Sequence, residues 1–389
     1  MAQQSRLNLL LASLALLAVM ALFGLPFMQA APNRLVSGQP VYVGVILPGV
    51  LWLLLALLLI AALATACRPK RLWLGLVLAL SSALIPSLLW LAAAHATNAL
   101  QGAASIARVS FGSGFWLTTV LLAFLANSAL QQLQATALLR TALCGAVLFG
   151  VLALLASGVG GNLSLVKEYF QRADDFAPLL VRHLQMVGLA LAATVLIGLP
   201  LGWLARTHIK IGRALLPVLN IIQTIPSIAL FGLLMAPLSL LAASMPAFGR
   251  AGISGVGITP AVTALTLYGL LPVVRSVLVG LQQVPASMRG AATALGLTPS
   301  QVLMQIELPL ALPVLLGGIR TAAVASVGLT AVTALIGAGG LGSILFEGLF
   351  SNAQDLVLLG VLPIVVLGML VDALFNALIR LARAKARSW

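Results

Sequence analysis

Long apolar runs alternate with short polar breaks from one end of the chain to the other. A helix needs about 20 largely apolar residues to cross the hydrocarbon of a bilayer. Ten runs approach or exceed that length: 7–28, 43–66, 72–94, 115–133, 137–157, 180–205, 214–243, 258–281, 310–336 and 356–381. The pattern predicts an all-α integral membrane protein with about ten transmembrane helices. The first run has the outline of a secretory leader, with Arg6 ahead of it and Ala30 and Ala31 behind. Its apolar stretch exceeds the roughly 7–15 residues of such leaders, so a retained first helix is expected.

Residues 162–178 break the pattern. There Lys167, Glu168, Arg172, Asp174 and Asp175 interleave with Leu165, Tyr169, Phe170 and Phe176. This spacing predicts an amphipathic helix lying at the outer interface, with its aromatic rings at headgroup level. It divides the chain into an N-terminal bundle (1–160), an external linker (161–178) and a C-terminal bundle of five spans (179–389).

Composition names the solvent. Hydrophobic residues make up 61% of the chain and charged residues 7%, against roughly 25% charged in soluble domains. Membrane lipid is therefore the first partner. The net charge of +14 would suit nucleic acid, but the cations do not share one face. They sit between the apolar runs: Arg68, Lys70 and Arg71; Arg206, Lys210 and Arg213; Arg380, Arg383, Lys385 and Arg387. With the N-terminus inside and ten spans, all three clusters and the C-terminus fall on the cytoplasmic side, as the positive-inside bias requires. No nucleic-acid partner is expected. Cys67 and Cys144 have neither disulfide nor metal-ligand spacing, and His95, His183 and His208 read as isolated interfacial or loop residues. No metal is expected.

The most informative stretch is the cytoplasmic loop 284–309. A short helix begins near Pro285, with Met288, Ala292 and Leu295 as its apolar stripe. The rest of it is small, including Gly290 and Ala291, and Gly296 suits the left-handed position that ends a helix. A second helix follows: Thr298 as N-cap, Pro299 at the first helical position and Gln301 completing a capping box. Pro309 and Pro313 are expected to kink the chain as it enters the next span. Two short capped helices make a rigid knob, able to pass a push from a soluble partner into the spans.

This stretch resembles the coupling loop of ABC importer permeases, whose pattern is Glu-Ala-Ala, three residues, Gly, nine residues, Ile, one residue, Leu-Pro. Ala291, Ala292, Gly296, Ile306, Leu308 and Pro309 fall at the matching positions, and Gly290 stands where the family usually has Glu. Neighbouring segments, among them Gln223-Thr224-Ile225-Pro226-Ser227, Gly257-Ile258-Thr259-Pro260 and Gly318-Ile319-Arg320-Thr321, narrow the resemblance to permeases of the osmoprotectant type. It covers 178–383 and implies a C-terminal five-helix ABC importer permease core. It also implies an assembly with a second permease subunit, cytoplasmic ATPase subunits and an external substrate-binding protein, in the bacterial inner membrane. The substrate it implies is glycine betaine, choline or a related quaternary ammonium compound, with an amino acid or another small solute as alternative. The role of the N-terminal bundle is not implied.

The remaining residues support a translocation subunit. No Gly-x-x-x-x-Gly-Lys-Ser/Thr phosphate loop occurs, so the chain is expected to carry no ATP site and no cofactor, the ATP being used by the partner ATPase. Gln223, Thr224 and Pro226 are candidate pathway residues, because a broken helix is tolerated where neighbours or a cavity satisfy its backbone. Gly198 and Gly202 have close-packing spacing. Asp372, deep in the last span, needs a partner, and Arg320 is a candidate. Gly337–Gly342 reads as an external turn able to bend against a docked protein. A secondary carrier is the rival reading, but inverted repeats and clustered deep carboxylates are missing.

Overall fold

The computed structural model describes residues 2–33, 36, 38–67, 70–101, 106–250 and 252–386, and the chain divides into two compact units, 1–171 and 172–389. Of the basic residues singled out above, Arg68 and Arg387 lie outside the described residues.

The first unit opens with α1 (Ala2–Gly24), which leads into strands β1 (Met28–Ala31) and β2 (Gln39–Val41) and a single turn, α2 (Val43–Ile46). Then come α3 (Gly49–Cys67), α4 (Arg71–Ala99), β3 (Arg108–Phe111), α5 (Ser113–Gln132), α6 (Ala137–Ala156) and α7 (Ser164–Gln171). Helix α1 packs on α3 and α5, and α4 packs on α3, α5 and α6. Leu11, Leu22, Leu58, Leu84, Leu88, Leu122 and Leu125 are fully buried between them. The strands form an antiparallel sheet in the order β2-β1-β3, pairing Met28 with Val41 on one side and with Phe111 on the other. This sheet was not expected, because strands of three or four residues carry too few positions to show an alternating pattern. It is fastened by Gly112, whose amide donates to the Phe27 carbonyl at 2.9 Å. A Cβ there would stand 2.1 Å from the Pro26 carbonyl oxygen.

The second unit comprises α8 (Ala173–Thr207), α9 (Ile209–Thr224), α10 (Ser227–Ser244), α11 (Pro246–Arg250), α12 (Ile258–Gln282), α13 (Ala286–Ala294), α14 (Pro299–Val302), α15 (Leu308–Val332), α16 (Leu341–Phe350) and α17 (Gln354–Ala386). Helix α12 is central, packed along α8 on one side and α15 on the other, with α17 against α15 and α16. Its seam with α8 is built on small residues. A Cβ on Gly198 would lie 2.9 Å from Val273 Cγ1, and one on Gly202 would lie 2.6 Å from Val277 Cβ. The spacing of these two glycines therefore serves close approach of backbones.

The long apolar helices agree with the all-α membrane reading, nine of them being long and apolar enough to cross a bilayer among the described residues. Several boundaries differ. Residues 162–178 are not one interfacial helix: α7 ends at Gln171, and 173–178 are the first turns of α8. Asp174 and Asp175 are the signal for that start, since carboxylates favour the positive end of a helix dipole. The run 214–243 is two helices, α9 and α10, parted at Ile225 and Pro226. His183 is no interfacial residue. It is fully buried in α8, with Nε2 3.1 Å from the Val327 carbonyl oxygen. The glycine-rich turn is present, with Gly337, Gly339 and Gly340 at positive φ, but it leads into a short helix, α16, that the sequence reading missed. Arg320 does meet Asp372, Nε donating to Oδ1 at 2.6 Å, and Asn376 donates to the other oxygen at 2.8 Å.

Replacing Gly202 with Ala forces its new Cβ into Val277 and should cost about 1–3 kcal/mol. A lowered thermal unfolding midpoint in detergent is the expected readout. Gly188→Ala on the same helix meets nothing within 4 Å and should leave the midpoint unchanged.

Candidate functional site

The loop 284–309 folds into the short capped helices that its residues predict. Helix α13 ends in a left-handed residue, Gly296, at φ +82°. The amide of Leu297 donates back to the Ala292 carbonyl at 3.1 Å, and that of Gly296 to the Thr293 carbonyl at 3.0 Å. These paired bonds close the last turn and fix the exit direction of the chain. Thr298 then caps α14. Its hydroxyl accepts from the Gln301 amide at 3.4 Å, and the Gln301 side chain accepts from the Thr298 amide at 2.8 Å.

Beyond α14 the helical backbone continues through Pro309. Residues Leu303–Glu307 form a π turn, in which the Leu308 amide donates to the Leu303 carbonyl, and α15 continues from it. Proline has no amide to donate to the carbonyl four residues back. The wider turn takes up that defect without a break.

The knob is hollowed on one side. Met288, Ala291, Ala292 and Leu295 of α13 and its exit face Ile306 and Pro309 across a groove of about 440 Å³, with Leu297, Gln305 and Leu310 completing it. Six of the nine loop residues singled out in the sequence thus share one concavity, while Gly290, Gly296 and Leu308 lie outside its lining. Met288 and Leu295 are 49% and 81% exposed, whereas Ala292 is 3% exposed and seats α13 on its neighbours. No atom lies within 4 Å of where a Cβ on Gly290 would stand.

One ion-pair cluster braces this region, and the sequence reading missed it. Glu307 is 6% exposed and receives both terminal nitrogens of Arg206, from the end of α8, at 2.7 Å each. Arg289 of α13 reaches the same carboxylate at 3.5 Å. The signal was available: Glu307 is the only carboxylate between Asp175 and Glu347.

The candidate pathway residues form a separate elbow. Gln223 donates to the Tyr268 carbonyl at 2.8 Å, and the Tyr268 hydroxyl donates to the Ile225 carbonyl. Thr224 turns back on the Ile221 carbonyl at 2.7 Å. Pro226 ends α9, and the carbonyl freed at Ile225 finds its donor on α12. Gln223, Thr224 and Pro226 are all exposed at this elbow, apart from the groove of α13.

Comparison with known proteins bears out the resemblance. Residues 5–166 match the family model described as the ABC transporter permease YehY, N-terminal domain, and residues 195–384 match the binding-protein-dependent transport system inner membrane component. The osmoprotectant import permease protein OsmW of Salmonella typhimurium is 40% identical, over 56% of this chain and 95% of OsmW. The glycine betaine/carnitine/choline transport system permease protein OpuCD of Bacillus subtilis is 32% identical, over 51% of this chain and 80% of that protein. The choline transport system permease protein OpuBD of the same organism is also 32% identical, over 52% and 80%. Among solved structures, an inward-facing form of the MetNI methionine ABC transporter aligns over 53% of this chain and 95% of its own, at 24% identity and a TM-score of 0.47. The chain therefore belongs to the binding-protein-dependent transport system inner membrane components, the multi-pass permeases of ABC importers, with a YehY-type N-terminal domain ahead of that core.

Proposed function

We propose that this chain is the translocation subunit of an ATP-driven importer for a small osmoprotectant of the quaternary ammonium class, such as glycine betaine or choline. A separate ATPase docks on the knob formed by α13 and α14 and supplies the work of alternating access. The observation that carries the reading is the groove of about 440 Å³, because four of the six residues that match the permease loop pattern, Ala291, Ala292, Ile306 and Pro309, line it. An apolar cleft with exposed Met288 and Leu295 at its mouth suits a hydrophobic anchor from a soluble partner. The substrate class follows the names of the relatives, which are permeases for osmoprotectants, glycine betaine, carnitine and choline.

In this reading both termini and the knob are cytoplasmic, and α7 and α16 are external. A second permease subunit, identical or paralogous, completes the pathway. Each permease contributes its elbow at Gln223, Thr224 and Pro226, and an external binding protein delivers the solute. The missing phosphate-loop motif accords with energy supplied in trans.

Met288→Glu and Leu295→Glu place charge at the mouth of the groove on exposed positions. Each should leave the permease folded and reduce co-purification of the ATPase about tenfold. Undiminished capture of the ATPase by the double variant would remove the docking assignment. A cysteine at Leu295, in a chain whose Cys67 and Cys144 have been replaced, should react with an impermeant maleimide from the cytoplasmic side only. One at Tyr169 should react from the outside only. In proteoliposomes with all subunits, labelled glycine betaine or choline should accumulate only with ATP on the cytoplasmic face. Accumulation of an amino acid in preference would correct the substrate, and accumulation driven by an ion gradient without ATP would overturn the importer.

A further inference from the structure

We infer that Glu307 is a positioning residue for transport, clamping the ATPase-docking helix α13 to the end of α8 so that a push on the knob moves α8 together with α15. The inference rests on the assignment of 284–309 as the docking loop.

Along the backbone, α13 is tied to only two spans. It follows α12 after three residues and reaches α15 through α14 and the π turn. Helix α8 is remote in sequence, ending about 80 residues earlier. Its link to the knob is electrostatic. Arg206 closes a two-pronged bond on Glu307, and such a fork fixes direction as well as distance. Arg289 adds the α13 side of the cluster on one of the same oxygens. Arg206 is itself held, its guanidinium lying 5.4 Å from the ring centroid of Trp203. Three elements thus meet at one carboxylate that is almost closed to solvent.

The location of Glu307 is informative. It is the last residue of the π turn, the one irregular step between knob and span. Here a load on α13 would otherwise be absorbed by local unwinding. A carboxylate gripped by Arg206 at that step stiffens it and diverts part of the load to α8. Glu307 and Arg289 are also the only charged residues between Val284 and Pro309, so no other charge in the loop can substitute for the pair.

The test uses the complete importer, this chain with its ATPase subunits and binding protein, in proteoliposomes. Solute imported per ATP hydrolysed is measured beside ATPase co-purification. Glu307→Gln and Arg206→Gln should each lower the import ratio about tenfold with the ATPase still bound. The double variant should lose no more than either single one, because both remove the same link. Arg289→Gln, on a more exposed side chain, should give a smaller loss in the same direction. A native import ratio in Glu307→Gln, or losses that multiply fully in the double variant, would overturn the clamp. If the single variants do not fold, the double variant, which buries no uncompensated charge, decides by the same ratio: native import per ATP overturns the clamp and a tenfold loss supports it. Failure of the unmodified chain to capture an ATPase removes the docking assignment and the clamp with it. A captured ATPase with an unmoved ratio removes the clamp alone.

Discussion

Hydrocarbon offers no hydrogen bonds, so every amide and carbonyl within the bilayer must find its partner inside the protein. The same pairing is kept where this chain departs from straight helix, at the elbow and at the two irregular steps near helix ends. At Ile225 and Pro226 the freed carbonyl is met by the Tyr268 hydroxyl. At Pro309 the defect is spread over a π turn. At the glycine turn after α15 the Ile336 carbonyl accepts from the Gly257 amide at 3.0 Å, and the Ala338 carbonyl accepts from Arg182 at 3.2 Å. The elbow is tied to α12 through Tyr268, and the π turn and the glycine turn are both tied to α8, through Arg206 and Arg182.

The same scarcity of polar partners gives weight to its few carboxylates. Glu307, Glu347 and Asp372 each face an arginine from a distant helix: Arg206, Arg172 and Arg320 respectively. Removing one member of a buried pair strands the other, an argument that applies to Glu307 with its 6% exposure. Glu307 is the most enclosed of the three. Asp372 and its partner are each 38% exposed in the isolated chain, and Asn376 completes that group from the next turn of the same helix.

What was legible in the sequence divides by the physics behind each signal. Most of the spans and the knob could be read, because apolar run length and cap residues act locally. Of the ten runs expected, nine hold, among the described residues, a helix long and apolar enough to cross a bilayer, the apolar part of α1 (Leu9–Gly24) being shorter. Thr298, Gln301 and Gly296 fold as their chemistry dictates, whatever lies around them. The sheet of the first unit could not be read, since its strands are too short to carry a period and depend on Gly112 lying against Pro26. The break inside 214–243 was half legible: Pro226 was visible as an interruption, but not that Tyr268 would accept the elbow. The start of α8 was visible in Asp174 and Asp175, but the same two carboxylates also fit the polar face of a single amphipathic helix over 162–178. Glu307 depends on a partner about 100 residues away, and no local pattern announces such a pair. In the first unit, the buried hydrophobic cluster running through α1, α3, α4 and α5 marks a self-contained body, as its long apolar runs led one to expect.

Helix α8 runs without interruption for 35 residues, about 50 Å at 1.5 Å per residue, well beyond the roughly 30 Å hydrocarbon slab. Arg172 caps one extremity and grips Glu347 of α16, while Arg206 near the other grips Glu307. A strut anchored at both tips works like a pushrod. In the proposed orientation its tips lie on opposite faces of the membrane, so a load taken up at the docking knob has one continuous backbone along which to reach α16.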